Sequence, residues 1–302
     1  MISVIIPALN SAGTIGRTLS SIFSGDLPNE AFEVIVVDNG SADSTVRVAQ
    51  AFPIKILHCP IRGQGPARNL GLKEAKGDII CFTDSDTIVA NTWLRRISEF
   101  FEENPDVDGI GGPVESARDG HANNLQKLEG EIYSASHDFP KEITQSAFGD
   151  KRTAPFSANS AFRKQALVSV NGFDSSAFDA VDIDLCWRLI NKGKRLVFNP
   201  VIEVVHLGFA WNLQGIFRQQ FRWGKSDVIL KRRFPRKISL KEKLSPYAFF
   251  TKSFLCIPVS KRRDQQLLGF FEQVAFQFGR FLELAHPSKL GKRAATYSSI
   301  KH

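Results

Sequence analysis

The chain has 302 residues, of which 43% are hydrophobic and 23% charged. This leaves room for one large domain with an appendage or for two modest ones, and excludes global disorder, collagen-like repeats and a disulfide scaffold. The net charge is +8, and Cys59, Cys81, Cys186 and Cys256 form no CxxC pair, so a zinc ribbon or dithiol redox site is excluded and a reducing compartment is expected.

Residues 2–7 form a short β-branched apolar run and predict a buried strand directly after Met1, with no basic or long apolar leader, so no signal peptide is expected. The spacing of Ile15, Leu19, Ile22 and Phe23 predicts a helix over 12–24 with Ser11 as cap. Residues 32–38 read as a second buried strand, and Ser41 or Asp43 as the cap of a helix reaching about 51. Strands are expected at 54–58 and 78–83, helices at 65–75 and 93–103, and a further strand at 108–112. Beyond residue 113 the alternation weakens; helices are expected over 123–136 and from about 182, and a strand pair across 195–206. Buried strands alternating with helices predict an α/β fold, a mostly parallel central sheet flanked by helices.

Ligands of such sheets bind outside the carboxyl ends of the strands. The polar residues there are Asn10, then Asp38-Asn39-Gly40-Ser41, then Asp84-Ser85-Asp86. There is no GxGxxG and no GxxxxGK[ST], which counts against dinucleotide binding and P-loop chemistry. Ala8-Leu9-Asn10-Ser11 replaces the Gly-rich, Arg-bearing loop that a nucleotidyltransferase needs. At a strand exit, the two carboxylates of Asp84 and Asp86 can serve a ribose hydroxyl and a hard cation, Mg²⁺ or Mn²⁺; the competing reading is a solubilising turn. Asp182 stands in the first turn of an expected helix, suited to a general base or to a simple N-terminal charge. Asp184 and Arg188 are an i,i+4 pair, structural or substrate-binding.

Taken in order, these pieces resemble the family 2 inverting glycosyltransferases with the GT-A fold. The resemblance covers about residues 1–225 and rests on Val4-Ile5-Ile6-Pro7-Ala8-Leu9-Asn10, Val36-Val37-Asp38-Asn39-Gly40-Ser41-Ala42-Asp43, Gly65-Pro66-Ala67-Arg68-Asn69-Leu70-Gly71, Gly77-Asp78, Asp84-Ser85-Asp86, Ser157-Ala158-Asn159-Ser160-Ala161-Phe162-Arg163, Gly172-Phe173-Asp174 and Asp182-Ile183-Asp184-Leu185. It implies that Pro7, Asn10 and Asp38 line the base and ribose of a nucleotide-diphosphate sugar donor. Arg68 would then sit near the diphosphate, Asp84 near the ribose, and Asn159 at the donor sugar or acceptor. Asp86 and His206 would hold the metal, and Asp182 would deprotonate the acceptor hydroxyl. Val181 stands where the family commonly has Glu, which removes one acceptor contact. Gln219, Arg222 and Trp223 match the QxxRW pattern of processive members, where Arg and Trp hold the diphosphate and the acceptor end. The alternative from another class is a membrane-associated nucleotide-sugar-binding or scaffolding protein without turnover.

Charge separates the two parts of the chain. Residues 1–210 hold 20 Lys/Arg against 26 Asp/Glu, whereas 211–302 hold 19 against 5. The expected division is therefore a catalytic domain over 1–210 and a basic, Phe-rich helical extension over 211–302. Apolar residues at 267, 271, 274, 278, 281 and 285 predict an amphipathic helix, while 244–260 is interrupted by Pro246, Lys252 and Pro258, so neither segment is expected to span a bilayer. Basic clusters beside Phe-rich stretches suit a peripheral protein on the anionic inner face of a membrane, and equally a stripe packed on the body. A glycan or lipid-linked acceptor is expected, and no nucleic acid.

Overall fold

The computed structural model describes residues 1–117, 158–175, 179–207, 213–234 and 263–288. Contacts divide the chain into two compact units, Met1–Gly120 with Tyr133–Ala177 and Val181–Gly208, and His121–Ile132 with Phe178–Ala180 and Phe209–His302.

The first unit is built on a seven-stranded sheet. The first four strands are β1 (Ile2–Ala8), β2 (Phe32–Asp38), β3 (Lys55–His58) and β4 (Ile79–Thr83). All are parallel, in the order β3-β2-β1-β4. Continuing past β4 come β8 (Asn159–Arg163), antiparallel to both its neighbours, then β6 (Gly109–Gly111) and β9 (Leu196–Phe198). The sheet is thus mostly parallel, as expected, with one reversed strand that the sequence pattern did not announce.

Alternation along β1 decides what each face holds. Ile2, Val4, Ile6 and Ala8 enter the main core with Ile15, Leu19 and Ile22 of α1 (Ile15–Phe23) and with Trp93, Leu94, Ile97 and Phe101 of α4 (Trp93–Glu103). Ile5 faces the other way, against α3 (Gln64–Glu74). That helix lies so close that a Cβ on Gly71 would come within 2.5 Å of Ile5 Cγ2. Helices on both faces bury the parallel strands, which is why those strands read as continuous apolar runs.

Several boundaries differ from expectation. Residues 12–14 form a turn, and α1 begins at Ile15 with Thr14 at its N-cap and no side-chain capping bond, so Ser11 does not cap it. The short α2 (Thr45–Ala49) has Ser44 at its N-cap, and Asp43 instead accepts the Thr45 backbone N–H at 3.0 Å. The expected pair over 195–206 is two strands in different sheets: β9 joins β6, while β10 (Val204–His206) lies between β5 (Thr87–Val89) and β7 (Val114–Ser116) in a separate three-stranded sheet. After β8 come α5 (Lys164–Ser169) and α6 (Val181–Asn191), the helix expected near 182. The expected helix over 123–136 and the stretch 244–260 lie outside the described residues.

In the second unit, α7 (Leu213–Arg233) packs against α8 (Arg263–Ala285). The helix expected from the apolar stripe is present, but its stripe points outward: Leu267, Val274, Phe278 and Phe281 are exposed. Among the described residues, no helix is long and apolar enough to cross a membrane.

Candidate active site

The carboxyl ends of β1, β2 and β4 converge, and polar side chains lock them together. Asn10, with φ 52, sits just beyond β1 in the left-handed region that Asn tolerates. Its backbone N–H donates to Ser41 Oγ at 2.9 Å, and its Oδ1 accepts the Ala42 N–H at 2.8 Å. Ser11 Oγ lies 2.7 Å from Ser85 Oγ, which ties the first strand exit to the Asp84–Asp86 turn. Pro7 is half-buried, in register with Val37.

Asp38 closes β2 and is buried. Its carboxylate accepts the backbone N–H groups of Gly40 (3.3 Å) and Ser41 (3.2 Å) and lies 3.5 Å from His58 Nδ1. Burial pushes its pKa up, but these donors together with the Ser41 hydroxyl outweigh burial and hold the carboxyl below its usual value. The neighbouring Asn39 was only a strand-exit candidate in the sequence. It organises the next loop, donating to the Ile61 carbonyl at 2.7 Å and accepting the Gly63 N–H at 2.8 Å.

The turn after β4 carries the sharpest chemistry. Thr87 Oγ1 donates to the Asp84 carbonyl at 2.9 Å, and Thr83 Oγ1 lies 2.7 Å from Thr87 Oγ1, so two buried hydroxyls fix the turn. The chain then enters β5 rather than a helix, and antiparallel pairing sets Thr87 opposite His206. That pairing brings His206 Nε2 to 3.3 Å from Asp86 Oδ1. One ligand atom from each of Asp84, Asp86 and His206 lies within 4.8 Å of the other two. Burial pushes the Asp86 carboxyl up, His206 offsets part of this, and the charge of Asp84 adds to it. Two half-buried carboxylates and a buried imidazole make a hard-to-borderline donor set that fits Mn²⁺ or Mg²⁺.

Arg68, from α3, has no exposed surface. Its Nη2 lies 2.9 Å from Asp84 Oδ1, Nη1 donates to Gln64 Oε1 at 3.2 Å, and its guanidinium lies 5.5 Å from the centre of the Phe173 ring. Expected near a diphosphate, it is held as the buried partner that orients Asp84.

Asp182 lies in the first turn of α6 and is half-buried; its Oδ1 accepts the Ile183 N–H at 2.9 Å. Asp184, two residues on and so on the opposite face of the helix, is fully buried against Arg188 Nε at 2.8 Å, and Arg188 Nη1 donates to the carbonyls of Val170 and Gly172. This pair ties α6 to the end of α5 and does not present a carboxylate to a ligand. Asn159 departs from expectation in the same way. Its Oδ1 accepts Trp93 Nε1 at 3.0 Å, and its Nδ2 donates to the carbonyls of Pro113 and Ile202. With no exposed surface, it braces the core behind β4 instead of facing a sugar. Val181 is buried, with Cγ1 3.6 Å from where a Cβ on Gly65 would lie. In the second unit, Gln219, Arg222 and Trp223 lie on α7, and Arg222 Nε is 3.2 Å from Asp179 Oδ1.

Residues 3–170 match the description "Glycosyl transferase family 2". The chain belongs to glycosyl transferase family 2. Within family 2, it is 31% identical over 240 residues to the pre-mycofactocin glycosyltransferase of Mycobacterium tuberculosis, over 78% of this chain and 48% of that protein. It is 27% identical to glycosyltransferase AglE of Haloferax volcanii, over 75% of this chain and 73% of that one. The chain therefore spans about half the length of the mycobacterial relative. Among solved structures, the mannosyltransferase PcManGT of Pyrobaculum calidifontis, in complex with GDP-Man and Mn²⁺, aligns with a TM-score of 0.61 at 21% identity, over 99% of this chain and 84% of that one. S. aureus TarS 1-349 in complex with UDP-GlcNAc aligns with a TM-score of 0.56 at 17% identity, over 94% and 91%. At these identities, the structural likenesses establish the shared GT-A fold.

Proposed function

We propose that the chain is an inverting, metal-dependent glycosyltransferase that moves a sugar from a nucleoside-diphosphate donor to an acceptor hydroxyl. The observation that carries this reading is the gathering of Asp84, Asp86 and His206 at the carboxyl ends of the central strands, beside Asn10 and Asp38, in a family 2 chain. Both neighbouring structures named above were solved with a nucleotide sugar, one of them with Mn²⁺.

In this reading Pro7, Asn10 and Asp38 receive the base and ribose. Arg68 holds the Asp84 carboxylate toward the donor, and Asp86 with His206 completes the cation site. The chemistry a divalent cation supplies there is neutralisation of charge on the leaving diphosphate. Asp182 accepts the proton of the acceptor hydroxyl as that oxygen attacks the anomeric carbon opposite the diphosphate. One such displacement inverts the centre, so one base suffices. Gln219, Arg222 and Trp223 are the candidates for the diphosphate and the acceptor end. The acceptor is a glycan, free or lipid-linked. A second reading, donor binding without turnover, draws its support from the buried Val181 in place of an acidic side chain.

Calorimetric titration of UDP and GDP, with and without Mn²⁺, tests the proposal. The wild-type chain is expected to bind one of them in a Mn²⁺-dependent way, and Asp86→Ala to lose that dependence. A wild type that binds neither nucleotide overturns the function, and a mutant with unchanged metal dependence overturns the metal assignment.

A further inference from the structure

The helical pair α7–α8 crosses closely and buries several polar groups. Gly224 and Gly279 sit at the crossing, where an added Cβ would run into the carbonyls of Phe276 and Phe221. Gln220, Ser226 and Glu283 are buried. Glu283 has no exposed surface; it lies 3.8 Å from both Lys225 and Arg232 and accepts the Ser288 N–H at 3.0 Å. Asp227 takes Arg280 at 3.0 Å and Lys231 at 2.8 Å. Ile216, Val228, Ile229, Leu230, Leu268 and Phe276 are buried as well, so apolar side chains, glycines and ion pairs share the interior of the pair.

A second set of apolar side chains lies outside. Phe278 is 47% exposed, Phe281 62%, and Leu267, Val274 and Leu284 are exposed beside them. Aromatic contacts extend this face across both helices: Phe217 to Phe271 at 5.8 Å and Phe221 to Phe278 at 5.7 Å between ring centres. Next to Phe217 stands the exposed Arg218, and α7 ends in Lys231-Arg232-Arg233. Across its length α7 carries six basic residues and one acidic.

We infer that this face docks on the surface of an anionic lipid bilayer. An exposed aromatic face suits an apolar medium rather than water, and the excess positive charge of α7 has the sign that anionic headgroups attract. Neither helix is apolar enough to cross. The pair therefore lies in the plane of the interface, with the Phe side chains in the acyl boundary and the arginines among the headgroups. The inference does not depend on the sugar-transfer reading.

Flotation of the full chain with vesicles tests it. Strong binding is expected to vesicles of phosphatidylcholine with phosphatidylglycerol, weak binding to phosphatidylcholine alone, and only partial release at high salt, because charge attraction is screened while apolar insertion is not. Phe278→Ser with Phe281→Ser removes two exposed rings and is expected to lower the partition coefficient roughly tenfold or more. Its circular dichroism and its Mn²⁺-dependent nucleotide binding should match the wild type, which separates failure here from failure of the enzymatic reading. The inference is overturned if the wild type stays unbound to anionic vesicles at low salt, or if the double variant binds them equally well. It is also overturned if light scattering shows a dimer that the double variant dissociates, since the face is then covered by a second copy of this chain.

Discussion

Asp182 is where the proposed chemistry is most exposed to test. It is half-buried in the first turn of α6, where the helix N-terminus favours the ionised carboxylate needed for a base. Asp182→Asn is nearly isosteric and keeps an acceptor for the Ile183 N–H. Steady-state kinetics are expected to show kcat lower by ~10²–10⁴-fold, the usual worth of a positioned base, with donor affinity unchanged. A mutant that keeps its rate at saturation but binds poorly would make Asp182 a binding residue. At Asp38 the sign of the pH effect follows from the hydrogen bonds. Its folded pKa is lowered from 3.8, so the ionised carboxylate stabilises the fold above that value, and the contribution is lost as pH falls through the folded pKa. Asp38→Asn should be less stable than wild type at pH 7 by about 1 kcal/mol, the net worth of such bonds, with the gap narrowing at pH 3. Urea unfolding at the two pH values checks it; a gap that widens in acid contradicts the assignment.

Elements differed in how much of them could be read in advance. Strands β1, β2 and β4 are runs of β-branched and apolar residues bounded by polar turns, and their positions follow from periodicity. The three-residue strands β5, β7 and β10 are too short to carry a period, yet their pairing is what sets His206 beside Asp86. The candidate acids were therefore legible from residue type at a strand exit, whereas His206 could be named only through family resemblance. Burial is invisible to a motif: Asn159 and Asp184 each sit inside the fold with their polar atoms bonded there. The stripe of α8 shows the reverse difficulty. Helical spacing was right, but an apolar face does not say whether protein or another medium covers it. The crossing of α7 and α8 supplies its own test. Gly279→Leu would drive a side chain into the Phe221 carbonyl, so the pair must separate. Thermal unfolding should show a loss of about 2–4 kcal/mol, in the range of severe overpacking and core disruption. A silent Gly279→Leu would mean that the helices do not approach as described.

On the scale of the whole molecule, the fold class and the polar exits of β1, β2 and β4 belong to one continuous N-terminal stretch, and the family match covers residues 3–170. The cation cluster is assembled differently: Asp84 and Asp86 follow β4, while His206 ends β10 and arrives only after β8, α6 and β9. Ribosomal synthesis delivers the chain N-terminus first. Strands β1 to β4 all pair within the first 83 residues, whereas the small sheet joins Thr87 of β5 to His206 of β10 and so closes a longer loop. Asp84 and Asp86 thus leave the ribosome well before the imidazole that would complete their set. A divalent cation held by all three side chains, as proposed, would stabilise only a chain that has been made through residue 206 and has closed that loop, so tight cation retention would serve as a readout of finished folding rather than as a template for its start.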